Sequence, residues 1–193
     1  PQPGAAPHSF FFVGDTQAHL MNFTNQDGAP NSSERHKYNP IDGMEWAGFA
    51  PSYRMAPAVT TLMNHILSEL VLPRFDGLHV YWAAGNHDGP EDTCFCSDDP
   101  LVQAFSLAWA RPLVAAGVVD NKLNRTYEGL DQVSFFLKTG YYVKQFAALP
   151  DENMYVIVTN TNLGMSNTRQ NIALADDLEW VASIGGRVYI IGH

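Results

Sequence analysis

Four apolar runs in this chain end in residues that can bind or move charge. Phe10 to Val13 leads into Gly14-Asp15, and Leu78 to Ala84 leads into Gly85-Asn86-His87-Asp88. The run from Met154 ends in Thr159-Asn160-Thr161-Asn162, and Arg187 to Ile191 leads into Gly192-His193. Aspartate, an amide oxygen and a neutral imidazole all ligate divalent metals of borderline softness. A carboxylate has two oxygens and can bridge two ions. Two ions about 3.5–4 Å apart can clamp a phosphoryl group and lower the pKa of a bridging water. A glycine ahead of each ligand lets the backbone turn sharply and come close. The residue types therefore point to metal-assisted phosphoryl chemistry, assembled from segments far apart in sequence.

Such segments meet only if the fold brings strand ends together. Strands are expected at 10–13, 78–84, 154–159 and 187–191, and helices at about 52–72, 101–116 and 172–183. Ser52 can cap the first helix and Pro73 ends it; Pro112 marks a kink or end in the second. Val133 to Leu137 and Tyr141 to Phe146 flank Lys138-Thr139-Gly140, which predicts a hairpin with Gly140 in its turn. Residues 22–51 and 88–100 are rich in turn formers and predict loops. Strands alternating with helices predict a layered α/β fold with a mostly parallel central sheet. Ligands of open α/β sheets bind outside the carboxyl ends of the strands, so the polar residues above would converge on one rim.

The 193 residues suffice for one domain with a hydrophobic core, and a 46% hydrophobic and 16% charged composition reads as globular. A formal charge of −9 leaves no basic stripe for a nucleic-acid polymer. No apolar run reaches the roughly 18 residues a membrane span needs. Three acceptor tripeptides, at Asn22, Asn31 and Asn124, point to N-glycosylation in the secretory pathway. Cys94 and Cys96 are too close in sequence to pair easily with each other. Free thiols and zinc binding stay open, but disulfides to cysteines outside this stretch are the preferred reading.

Gly85-Asn86-His87-Asp88, with Gly14-Asp15 before it and Gly192-His193 after it, resembles the calcineurin-like metallophosphoesterases. More narrowly, "FFVGDTQAH", "VYWAAGNHD", "GYY", "YVIVTNTNLG" and "VYIIGH" resemble the acid sphingomyelinase branch and its sphingomyelinase-like relatives. The match is spread in order along nearly the whole chain. It implies a metallophosphoesterase fold, with central mixed sheets flanked by helices, that residues 1–193 hold only in part. It also implies two divalent metal ions, typically zinc. Asp15 would bridge them, and Asn86 and His193 would ligate the second. His87 would stabilise the transition state or protonate the leaving oxygen, Asp88 would orient His87, and His19 would touch the phosphate.

Two expected motifs, Asp-X-His upstream and Gly-His-X-His downstream, are absent from this stretch. The isolated segment is therefore expected to be inactive, with remaining segments of the same protein completing the metal site. The implied activity is a phosphoric diester hydrolase using a metal-activated hydroxide, secreted or lysosomal. Its substrate would be sphingomyelin or a related phospholipid, or a nucleotide-type small phosphodiester, with peripheral membrane contact in the first case. The alternatives are an inactive family member serving as a binding component of an assembly, and a phosphomonoesterase. His8, His36, His65 and His79 read as ordinary histidines. Asn160 and Asn162 read as turn formers under the site. Tyr141 and Tyr142 fit either a cleft wall or cross-strand packing.

Overall fold

The computed structural model describes residues 9–14, 50–85, 88, 100–149, 152–161 and 168–193. Two strands, β1 (Phe10–Val13) and β2 (Val80–Ala83), pair in parallel with Phe10 opposite Val80 and Val13 opposite Ala83. A short antiparallel pair follows, β3 (Thr126–Tyr127) and β4 (Leu130–Asp131). Its turn uses Glu128 and Gly129, both at positive φ, which matches the twist of a tight hairpin. The third sheet has the order β5 (Tyr142–Gln145), β6 (Met154–Val158), β7 (Arg187–Ile191). There β5 runs antiparallel to β6, and β6 parallel to β7. The architecture is mixed α/β, with small sheets flanked by helices. The mostly parallel single sheet expected from the strand–helix alternation is thus replaced by separate sheets of mixed direction.

Helix α1 spans Ala50–His65, so Ser52 lies in its first turn and not at its cap, and residues 50 and 51 belong to the helix and not to the predicted loop. A wider turn with bonds to the fifth residue continues it over Ile66–Val71, ahead of Pro73. Helix α2 spans Pro100–Ala115 and runs past Pro112, whose carbonyl accepts from Ala116 N at 2.9 Å. Val59, Met63 and Leu67 recur on one face of the first helical stretch and pack in one core with Ala108, Trp109 and Leu113. Burying a side chain such as Leu113 completely contributes about 1.5–3 kcal/mol. Thr60 Oγ1 donates to Ala108 O at 3.3 Å and fixes the helices in register. His65 closes α1, and His79 lies in the single 3-10 turn Gly77–His79 just before β2, not inside the strand.

The predicted hairpin at 133–146 is overturned. Gln132–Thr139 is helix α3. Val133, Phe135 and Leu137 alternate as in a strand, but Gln132, Phe135, Phe136 and Thr139 are the buried set, at helical spacing. Asp131 caps the start by accepting from Ser134 N at 2.9 Å. Gly140, at φ +74°, ends the helix in the left-handed conformation, and its N–H donates to Phe136 O at 2.7 Å. Gly140 is therefore a helix terminator, and the antiparallel partner of β5 is β6. Helix α4 begins at Thr168, four residues before the predicted start, and ends at Ser183.

Candidate functional site

The site is built where β1, β2 and β7 end. Val13 and Ala83 are the last residues of their parallel strands, so Gly14 and Gly85 leave the sheet side by side. Gly14 has φ +96°, and a Cβ there would sit 2.6 Å from Gly85 Cα and 2.6 Å from His193 Nδ1. Only glycine fits, on conformation and on space. Gly14 is therefore packed against the Gly85 backbone and the His193 ring. Asp15, His19, Asn86 and His87 themselves lie outside the described residues, as do Asn22, Asn31, Cys94, Cys96 and Asn162.

His193 is exposed, and its Nδ1 lies 2.8 Å from Val13 O. A carbonyl can only accept, so Nδ1 carries the hydrogen in this bond. Metal-binding histidines are commonly oriented by such a bond to a backbone carbonyl. An imidazole oriented in this way is a donor type that suits a borderline cation such as zinc. Among the described residues, no three His, Cys, Asp or Glu side chains cluster closely enough to hold a metal.

Asp88 is fully buried. Its Oδ2 accepts from Gly85 N at 2.8 Å, and its own N–H donates to Gly85 O at 3.2 Å. These bonds close the turn that carries positions 86 and 87. The described contacts make Asp88 a brace of the backbone at Gly85, while its expected contact with His87 lies outside the described residues.

The end of β6 supports β7 from below. Thr159 N donates to Ile191 O at 2.9 Å, and Thr159 Oγ1 reaches the same oxygen at 3.2 Å. Thr161 Oγ1 donates to His193 O at 2.7 Å. Asn160 is buried; its N–H donates to Gln170 Oε1 at 2.9 Å and its Nδ2 to Thr139 O at 3.2 Å. It works as a structural amide beneath the rim. The threonine contacts were not legible in the sequence, where Asn160 and Asn162 alone read as turn formers.

Tyr141 and Tyr142 are fully buried. Tyr142 OH accepts from Trp82 N at 2.8 Å and links the first sheet to the third. Tyr141 OH donates to Asp177 Oδ2 at 2.7 Å, and Tyr127 OH donates to the same oxygen at 2.7 Å. Arg125 meets the other oxygen of Asp177 at 2.6 Å and lies over the Trp180 ring at 4.6 Å. Burial, reinforced by the Asp177 carboxylate, holds both phenols well above their usual pKa. Packing, and not a cleft wall, therefore accounts for this tyrosine pair. Asn124, just before Arg125, is exposed at φ +51°, as is Thr126 two residues on.

No protein-family model matches the chain. Acid sphingomyelinase-like phosphodiesterase 3b of Mus musculus is 26% identical over 167 residues, covering 79% of this chain and 33% of that protein. The similarity is distant, and the chain spans about a third of the relative's length. It points the same way as the sequence motifs.

Proposed function

We propose that this chain forms part of the catalytic domain of a metal-dependent phosphodiesterase. The observation that carries the reading is the meeting of Gly14, Gly85 and His193 at one rim, where three sequence-distant strand ends converge. Asp15, Asn86 and His193 would hold the metal, and zinc suits their donor set. Two such ions, when bound, supply Lewis-acid polarisation of a phosphoryl oxygen and an activated water. Around them the chain's own residues orient the diester and move protons. His87 gives its proton to the departing alkoxide oxygen. Asp88, locked to Gly85, keeps the 86–87 turn in place. His19 binds a phosphoryl oxygen. The other segments of the protein complete the metal site.

The relative's printed name and the motifs together favour a phosphodiester substrate of the sphingomyelin or small nucleotide type. No helix among the described residues is long and apolar enough to cross a membrane. The exposed sequon at Asn124 suits a secretory route, and an endoglycosidase shift lost in Asn124→Gln would register its glycan.

The test is hydrolysis of bis-p-nitrophenyl phosphate against p-nitrophenyl phosphate by the zinc-replete intact protein, with the segments that complete the metal site present. Turnover of the diester that a chelator abolishes and zinc restores is expected. His87→Ala should lower it by about 10²- to 10⁴-fold. Turnover of the monoester alone would mark a phosphomonoesterase. Inertness towards both would favour a binding component without catalysis.

A further inference from the structure

We infer that Thr161 is a positioning residue for His193, with Thr159 anchoring the strand that leads to it. The inference rests on the metal-ligand reading of His193. That residue stands two positions beyond β7, where the strand ladder no longer fixes the backbone. Two hydroxyls take over. Thr159 Oγ1 reaches Ile191 O at 3.2 Å, and Thr161 Oγ1 donates to His193 O at 2.7 Å. Between them Gly192 is so enclosed that a Cβ would lie 2.7 Å from Thr161 Cγ2 and 2.8 Å from Thr159 Oγ1. His193 is thus held at its carbonyl by Thr161, beyond the end of β6, and at its ring by Val13 O of β1. With both ends fixed, the imidazole is held in one orientation. Thr161 is itself exposed and takes no part in either hydrophobic core. Its hydroxyl can therefore be removed without loss of packing.

The test compares Thr161→Val, which keeps shape and drops the donor, with Thr161→Ser, which restores it. Two readouts apply to the purified protein. Long-range ¹H–¹⁵N correlation of His193 reports its tautomer without metal. Titration with zinc alone reports affinity, with His193→Ala as reference. Thr161→Val should mix the tautomers and weaken zinc by about tenfold, the lower range for residues that orient a ligand. Thr161→Ser should match the wild type, and the thermal midpoints of all three should agree. A Thr161→Val protein with one tautomer and wild-type zinc affinity would overturn the inference. If wild type and His193→Ala bind zinc equally, the metal reading falls instead, while the tautomer comparison still judges Thr161.

Discussion

One imidazole nitrogen facing a carbonyl oxygen makes His193 Nδ1 the donor and fixes the ring against β1. The same logic of satisfied donors governs the buried charges. Asp177 is fully buried and receives Arg125, Tyr127 and Tyr141. Asp177→Ala would strand a guanidinium and two phenols, at a cost of about 3–5 kcal/mol, visible as a lower urea midpoint. Tyr127→Phe removes one donor to a buried carboxylate and should cost about 1.5–3 kcal/mol. Lys144, 7% exposed, donates to the carbonyls of Gly77, Gly117 and Val118. Burial, partly offset by Asp120, lowers its pKa from 10.5 to about 8. Between those values the unfolded chain keeps a proton that the folded chain has released, so this group makes stability rise with pH across the window. Wild type should therefore gain on Lys144→Met between pH 8 and 10.5, by up to about 3 kcal/mol. Parallel urea curves at those two pH values would register it, and a constant gap would contradict it.

Elements were legible wherever one signal spoke alone. The runs at 10–13, 154–158 and 187–191 have no competing period, and each is a strand. The stretch 132–139 carried two periods, because Phe135 belongs to both the alternating set and the helical set. What decided for the helix was the Asp131 cap and the Gly140 terminator, local signals outweighed in the sequence by the alternation. Strand direction was not legible, since pairing depends on partners distant in sequence. The rim glycines were legible as punctuation, but their mutual contact was not. Gly140→Ala should cost about 1–2 kcal/mol, because the site has φ +74° and Asn160 Nδ2 would lie 3.1 Å from the new Cβ. Gly14→Ala meets backbone on one side and the His193 ring on the other. It should weaken zinc by at least about tenfold, a loss that a titration would show.

Among the described residues the hydrophobic core forms two clusters, and sequence-distant residues meet at the rim. Tyr127, Tyr141 and Tyr142 all have pKa values raised above the usual 10.0, chiefly by burial. A raised folded-state pKa contributes stability below the unfolded value and loses it as pH climbs beyond. The urea midpoint should therefore drop above pH 10, more steeply in wild type than in a Tyr127→Phe/Tyr141→Phe variant. An equal drop in both would contradict the assignment. The account as a whole stands on one shared cation. Zinc-edge anomalous diffraction from crystals of the zinc-loaded protein would locate it. The expected result is a peak about 2.0–2.1 Å from His193 Nε2 and within ligand distance of the Asp15 carboxylate and the Asn86 amide oxygen. A peak elsewhere, or His193 with no metal beside it in zinc-replete crystals, would contradict the account.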